Sequence, residues 1–338
     1  MVAAVLSPPV PGPAAWTYAS GLASALEGRL LTARGIEELL QAPSLEELLG
    51  RVRQGLMFGD LAESAQPFAL AENIEAAHAA MVRRMGEACP APDLADLFLL
   101  PLEWRAFRAY VRTQALEREP APVPGAEVPE AVWERCWTTP DVEARYEPFA
   151  QAAAAIREAM PREEHDQRLV EGFTHIYEAR HLRRLAAQVG SEAVLEWVET
   201  WLRQRLALAL LRCRFNQWGH VRAADALDDL GVSHHQIRAL VEPEQRDWRA
   251  PLAALGLPAA AAIRDDQPRP AAVVERLIDD AMTGTVRQGR GVPFGPEPLA
   301  GFLWALRVEA LNVKLVVTGR AAGVGSGTIA EDLRQSYV

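Results

Sequence analysis

Three stretches of this sequence, about a hundred residues apart, can be aligned along a helical stripe. The clearest copy, 301–338, reads as a helix with an apolar face, a glycine-rich turn and a short amphipathic helix that runs to Val338. When Glu309 is set over Glu103 and Arg203, each copy repeats at steps of three and four residues, which is the spacing of one helical face and not of a strand. The stripes are Ala106, Phe107, Tyr110, Val111 and Gln114; Leu206, Ala207, Leu210, Leu211 and Arg214; and Asn312, Val313, Val316, Val317 and Arg320.

This repeat predicts an all-α fold of three similar helical domains, because self-similarity at a long period means that one helical unit is used several times. Such a chain is typical of a scaffold rather than of a single catalytic cleft. Proline-rich stretches at 119–129 and 258–270 are the expected linkers. We expect the first helices of the chain to pair with the last repeat. The predicted divisions are a proline-rich tail at 1–15 and repeat domains at 16–120, 128–256 and 268–338.

Composition excludes several classes of function. The formal net charge is −10, and no cluster of Lys and Arg supplies the basic surface that a phosphate backbone needs, so nucleic acid is not an expected partner. Lys314 is the one lysine of the chain and lies inside a predicted helix, so a P-loop is absent. The three cysteines are isolated, which fits a reducing cytoplasm. The longest apolar stretch, 252–263, is shorter than the roughly 20 residues that cross a bilayer, so we expect no transmembrane span.

The motifs that resemble chemical sites all have structural explanations. The glycine-rich segment 319–328 follows a helix rather than a strand, so it fits a helix C-cap better than a phosphate loop. The histidines lack the spacing of a helical zinc site. Paired carboxylates such as Asp279 and Asp280 fit a solvated helix face. Ser44 and Glu47 match a capping box, which predicts a helix start there. We therefore predict no catalytic, cofactor-binding or metal-binding residues.

Glu309 and Asn312 stand out because they precede three valines on a face that should be packed. A buried carboxylate or amide is costly unless it is hydrogen-bonded. Both residues should then have partners such as Arg307, Arg320 or main-chain groups of a facing helix. We interpret them as an internal structural polar pair. Direct contact with a partner protein is the alternative.

The order of several short motifs indicates a family. The last copy carries Glu-x-x-Asn at Glu309 and Asn312, then Gly-Arg, then Ile-x-Glu-x-Leu, and it ends on Tyr-Val. The N-terminal part carries RLLT, ELL and SLEELLGRV, followed by Phe58-Gly59. In these motifs the chain resembles the C-subunit family of V-type and A-type rotary ATPases, whose eukaryotic equivalent is the d subunit of the V-ATPase. The resemblance covers essentially the whole chain.

The resemblance implies a funnel-shaped, all-helical, non-catalytic connector. It would join the central-stalk subunits of the soluble ATPase sector to the proteolipid ring of the membrane sector, and transmit torque during proton or sodium transport. The implied location is cytoplasmic, peripheral on the inner face of the plasma membrane. We expect arginines at the repeat ends to lie near a socket for the stalk and to pair with its acidic residues. These arginines are Arg112, Arg212, Arg214 and Arg320.

Two alternatives remain on sequence grounds. A generic helical-repeat adaptor with a peptide groove would have the same repeat pattern without any connection to rotary ATPases. A helical enzyme with a buried acid or histidine would need a strongly shifted ionisable group in a deep pocket. The two non-catalytic hypotheses differ in what co-purifies with the protein.

Overall fold

The computed structural model describes residues 11–61, 66–116, 123–160, 167–215, 223–242, 248–264 and 269–338. Over these ranges the regular structure is helical and contains no strand, which confirms the all-α prediction. Most of the predicted tail and part of each predicted linker lie outside the described residues. The α-helices described are α1 (Thr17–Glu27), α2 (Ala33–Leu40), α3 (Leu45–Val52), α4 (Pro67–Glu87), α5 (Pro92–Leu116), α6 (Glu130–Thr138), α7 (Glu147–Ala159), α8 (Gln167–Val189), α9 (Glu192–Phe215), α10 (Ala223–Asp229), α11 (His234–Val241), α12 (Arg249–Ala254), α13 (Pro270–Val286), α14 (Pro296–Ala321) and α15 (Ser326–Glu331).

The three aligned stripes lie on the long helices α5, α9 and α14. Their apolar residues face the interior, as the helical spacing predicts, although Ala106 is only half-buried. The last position of each stripe is not a core position, because Gln114 is exposed and Arg214 and Arg320 are half-buried. The internal threefold symmetry itself stays a prediction. The buried apolar residues of the stripes are Phe107, Tyr110 and Val111; Leu206, Ala207, Leu210 and Leu211; and Val313, Val316 and Val317, and the polar Asn312 is buried as well.

Helix α14 is the most enclosed element of the fold. Its buried residues occupy every side of the helix from Pro298 to Leu306. Further along, the half-exposed residues Arg307, Leu311, Lys314 and Thr318 lie on one side. It packs against the N-terminal helices α1 to α4, and also against α5, α9 and α13. A helix enclosed in this way must satisfy its polar side chains inside the protein.

Asn312 meets that requirement through main-chain partners, and Glu309 meets it with one of its two oxygens, since its buried Oε1 has no partner among the described residues. The Oε2 atom of Glu309 accepts a hydrogen bond of 2.6 Å from the backbone N–H of Leu31, between α1 and α2. Asn312 bonds to the backbone of Arg334 in both directions, since Nδ2 donates to its carbonyl at 2.9 Å and Oδ1 accepts from its N–H at 2.8 Å. The two polar residues therefore tie α14 to segments from both ends of the described chain.

Arg320, near the end of α14, makes a third tie of this kind. Its guanidinium donates to the carbonyl oxygens of Leu40 and Ala42, each at 2.9 Å. These carbonyls lie at the end of α2 and just beyond it. Because a helix leaves its last carbonyls without intrahelical partners, the arginine satisfies groups that would otherwise need water.

The glycine-rich turn after α14 is a helix C-cap, as its position after a helix predicts. Gly323 has a φ of 76°. The N–H of Val324 donates to the Gly319 carbonyl at 2.8 Å, and the N–H of Gly323 donates to the Arg320 carbonyl at 3.1 Å. This pair of bonds is the Schellman motif, in which glycine supplies the left-handed conformation without steric cost.

The prediction that the final helix runs to Val338 is wrong. Helix α15 ends at Glu331, and the segment after it, 332–338, is irregular. Side chains of neighbouring helices hold its backbone: Asn312 bonds to Arg334, and Asp280 accepts from the N–H of Gln335 at 2.6 Å. The backbone groups that would extend the helix are therefore engaged in tertiary hydrogen bonds.

The capping box predicted at Ser44 and Glu47 forms only in part. Ser44 accepts a hydrogen bond from the N–H of Glu47 at 3.1 Å, which confirms the helix start. The carboxylate of Glu47, however, pairs with Arg51 at 2.5 Å instead of reaching back to the cap. A complete capping box is found at Ser233 and Gln236, at the start of α11. A nearby arginine thus competes with the backbone for the glutamate.

The buried carboxyl of Glu309 makes stability depend on pH. Burial raises its pKa from an ordinary value of 4.5 to about 7, against the smaller opposing effect of the bond from Leu31. The native state therefore holds a proton that the unfolded chain releases, so stability falls as the pH rises through this window. We expect Glu309→Gln, which keeps an acceptor for Leu31, to gain about 3 kcal/mol relative to the wild type between pH 4.5 and pH 8. Urea unfolding at a series of pH values measures this difference.

Glu37→Gln is the matched control, because this glutamate is exposed on α2. Its stability difference from the wild type should be nearly independent of pH over the same range. Parallel pH profiles for the wild type and Glu309→Gln would show that folding does not shift the pKa of Glu309.

Candidate partner-binding cavity

An open cavity of about 340 Å³ lies where α5, α8, α9 and α14 meet. Apolar residues of these helices form part of its wall, among them Leu102, Leu182 and Leu206. The charged groups on its wall are unevenly divided, because five arginines face two glutamates. They are Arg105, Arg108, Arg205, Arg212 and Arg307, with Glu171 and Glu178.

Helical spacing brings these side chains to a common face. Arg105 and Arg108 are three residues apart on α5, so they lie on the same side of that helix. Arg205 and Arg212 are seven residues apart on α9, which is close to two full turns. Glu171 and Glu178 repeat the seven-residue step on α8. Each helix therefore presents a charged edge to the cavity beside its buried stripe.

Ion pairs position most of these arginines. Arg108 contacts Glu178 at 2.7 Å, and both side chains are largely buried. Arg112, one turn further along α5, pairs with Glu171. Arg205 and Arg212 share Glu275 of α13, at 3.3 Å and 2.5 Å. Glu275 is stabilised as a carboxylate, since these arginines lower its pKa despite its burial. The arginines are thereby held in fixed positions at the cavity wall.

The cavity has more arginines than glutamates on its wall, although Glu75 and Glu275, which lie outside the lining, pair with three of those arginines. His175 also lines it but adds no charge, because burial and the surrounding arginines lower its pKa to about 3. The excess of arginine over glutamate contrasts with the net charge of −10 for the whole chain. Such a local field attracts acidic groups and orients them as they approach.

An apolar slot of about 50 Å³ adjoins the arginine-lined cavity. Three tryptophans, Trp197, Trp201 and Trp304, line this slot together with aliphatic residues from α5, α8, α9, α13 and α14. The slot and the cavity share Trp201 and Arg307 among their lining residues. The site thus combines an apolar pocket with a basic rim, which is the arrangement of a protein-binding hot spot.

The structure places the four predicted arginines in different environments. Arg212 lines the cavity, and Arg112 is next to it through its partner Glu171. Arg214 donates to the carbonyl of Ala239 at 3.2 Å, and Arg320 donates to carbonyls near α2. Neither Arg214 nor Arg320 belongs to the cavity lining. The four do not form one cluster, and their role in partner binding stays a prediction.

Sequence reasoning missed four arginines that do line the cavity. Arg105, Arg108 and Arg205 could have been found from their spacing of three or seven residues along the edge of a predicted stripe. Arg307 could not, because it lies inside a continuous apolar run where the pattern predicts a core position. Only the three-dimensional packing of the helices shows that Arg307 lines the cavity.

Asp279 corrects the interpretation of the carboxylates at 279 and 280 as a solvated pair. It is only 1% exposed, and its Oδ2 accepts from Nε of Arg334 at 3.2 Å. Asp280 is half-buried and accepts from Gln335. The bonds from Arg334 and Gln335 each span 55 residues, so no local pattern could show them. Asp280 also has a local partner, Arg276, one turn earlier on α13 at 3.4 Å.

The histidines do not assemble a metal site over the part of the chain that the structure describes. His175 lines the cavity, and His181 packs among the rings of Trp104 and Phe149. The side chain of His165 lies outside the described residues. Among the described side chains, no group of three or more His, Cys, Asp or Glu is placed to hold a metal ion.

Comparison with known proteins gives a family-level match. A model of the family described as ATP synthase (C/AC39) subunit matches residues 19–331, which is most of the chain. No individual curated protein gives a significant match. Over the described residues, none of the helices combines the length and the apolar character that a bilayer crossing requires.

The largely buried pair of Arg108 and Glu178 should be important for stability because its members depend on each other. Removing one member leaves the other charge in a poorly solvated site. We expect Arg108→Met to destabilise the protein by about 3 kcal/mol, and the double variant Arg108→Met/Glu178→Met to recover most of the loss. Thermal or urea unfolding of the single and double variants measures the coupling.

The exposed pair Arg34 and Glu38 is the matched control, since its side chains are 87% and 56% exposed. Arg34→Met should cost only about 0–0.5 kcal/mol. A similar small loss for Arg108→Met would contradict the structural role assigned to the cavity pair.

Proposed function

The chain belongs to the ATP synthase (C/AC39) subunit family, a structural and non-catalytic component of rotary ATPases, and we propose that it connects the central stalk to the proteolipid ring. In this role the protein receives the stalk on one surface and docks to the ring on another, and it passes torque between them. The family assignment replaces the generic adaptor, which had no connection to rotary ATPases, and the helical enzyme.

One observation carries the stalk-binding part of this proposal: the arginine-lined cavity with its apolar slot. A stalk end that carries acidic residues around an apolar contact would match both features at once. The proposed domains 16–120 and 268–338 each supply one long helix to the cavity, α5 and α14, and the domain 128–256 supplies two, α8 and α9. This placement supports a funnel whose central hollow is the socket.

The packing of the protein supports torque transmission. Buried side chains form one continuous apolar cluster that includes residues of α1, α5, α9 and α14. Close-packed interiors have low compressibility and transmit strain. The side-chain ties from α14 to Leu31, to Leu40 and to Arg334 add directional contacts between distant parts of the chain. A connector built in this way would turn as a unit with the stalk.

We propose a peripheral position at the inner face of the plasma membrane, in a complex that moves protons or sodium ions. The family, a peripheral component of rotary ATPases, supports this placement. The proteolipid ring would hold the protein at the membrane, and the second docking surface would be for that ring.

Reversing the charges of Arg205 and Arg212, two arginines on the rim of the cavity, tests the stalk-binding role. We expect Arg205→Glu/Arg212→Glu to weaken binding of the purified stalk subunits of the same ATPase by at least tenfold, because two attractive contacts become repulsive. The control is Arg34→Glu/Arg238→Glu, which changes the net charge equally at two exposed sites. Biolayer interferometry at two salt concentrations measures the affinity and its salt dependence.

The control variant should bind the stalk as the wild type does, and both variants should still bind the proteolipid ring. Equal stalk affinity for the rim variant and the wild type would remove the cavity as the docking site. If the purified protein carried with it neither the stalk subunits nor the ring subunits, the connector role itself would be excluded.

A further inference from the structure

Arg307 differs from the other arginines of the cavity in its surroundings. It lies on α14 at the boundary between the apolar slot and the arginine-lined cavity, and it lines both. Its guanidinium carbon lies 5.5 Å from the ring centre of Trp304 and 5.8 Å from that of Trp201, a ring that Arg205 also contacts at 5.6 Å. Contacts of this kind attract a cation through the negative faces of the rings and hold the guanidinium in place.

Arg307 makes no hydrogen bond to the residues that the structure describes. Each of the other four cavity arginines has a carboxylate within 3.3 Å: Glu75, Glu178 or Glu275. The nearest carboxylate to Arg307 is Asp279, whose Oδ1 is 3.9 Å from Nη2, beyond hydrogen-bond distance. The Nε atom of Arg307 is buried and has no partner among the described residues, and neither has Oδ1 of Asp279.

An arginine in this state is prepared for a ligand. A buried N–H without an acceptor costs free energy, and an incoming acceptor would recover it. Of the common acceptors, a carboxylate fits the planar fork of the guanidinium best, through two parallel hydrogen bonds. The excess of arginines around the cavity favours the same kind of group.

The slot restricts what can accompany the carboxylate. Its volume of about 50 Å³ is well below the roughly 150 Å³ of a cavity that holds a benzene ring. The tip of an aliphatic side chain such as valine or leucine suits this space better than an aromatic ring does. Its walls are almost wholly apolar, so a polar group would lose its hydrogen bonds there.

We infer that Arg307 is the recognition residue of the socket, binding a carboxylate of the stalk whose neighbouring aliphatic side chain enters the slot lined by Trp197, Trp201 and Trp304. This inference rests on the proposed function and names the chemistry of the partner at that site. It assigns different tasks to the arginines. The rim residues, such as Arg205 and Arg212, attract the stalk from a distance, and Arg307 retains it once it has docked.

Binding kinetics separate these tasks. Rim charges act mainly on the association rate and its salt dependence, whereas a buried charge pair acts on the dissociation rate. We expect Arg307→Met to raise the dissociation rate of the stalk subunits at least thirtyfold with little change in association. Arg307→Lys should raise it about tenfold, because a single ammonium cannot make the bidentate contact. The matched control is Arg205→Met, which should slow association instead.

A second variant leaves Arg307 in place and fills the slot. Val198 lines the slot and is only half-buried, so Val198→Phe adds volume there with little strain on the core. It should also raise the dissociation rate. Thermal unfolding of each variant identifies any loss of fold, and the Val198→Phe result then decides the matter if Arg307→Met does not fold.

The source of the carboxylate is found on the stalk side. Asp→Asn and Glu→Gln variants of the stalk test side-chain carboxylates, and removal of the last stalk residue tests the terminal one. The carboxylate that binds Arg307 is the one whose loss no longer matters in an Arg307→Met background. Unchanged dissociation for Arg307→Met and Val198→Phe, with the rim variants still impaired, would overturn this inference alone. Failure of the wild type to bind the stalk would overturn the proposed function as well.

Discussion

Helix α14 is buried on every side from Pro298 to Leu306, and the arrangement of the other helices follows from the need to cover it. The N-terminal helices α1 to α4 cover one part, and α5, α9 and α13 cover another. Enclosure supplies apolar contact area, but it also isolates the polar side chains of the helix from water. Asn312, Arg320 and one oxygen of Glu309 bond to main-chain groups of other segments, so these polar residues of α14 help to determine which segments lie next to it.

The cavity lies at the edge of the helices that pack around α14. Three long helices point their apolar stripes inward and carry charged residues one position aside from the stripe, where the helices diverge. Most of these charges are balanced by ion pairs to α4, α8 and α13, which fixes their geometry. Arg307 is the exception, because it belongs to the enclosed helix and meets the cavity from the core side. The unsatisfied Nε of Arg307 and the apolar slot beside it therefore both result from the enclosure of α14.

Periodicity along the chain was sufficient to predict the helical class, the buried stripes and the glycine C-cap, since each depends on neighbours within a few residues. It failed where a distant segment decides the outcome. The segment 332–338 leaves the helical path because Asn312 and Asp280 bind its backbone. Asp279 is buried because Arg334 reaches it, and Arg307 meets the cavity because α9 lies opposite. For the site, spacing identified Arg212 but gave no means of separating it from Arg214 and Arg320.

The bond between Leu31 and Glu309 joins residues that are 278 positions apart. During translation the helices α1 to α4 leave the ribosome long before α14 exists, so the apolar faces that will cover it have no partner at that stage. Such non-local pairing slows folding, and the apolar surfaces that stay exposed until it is complete favour aggregation. The nascent chain is therefore an expected client of molecular chaperones, and its yield in a cell should depend on how quickly the ribosome reaches residues 296–321.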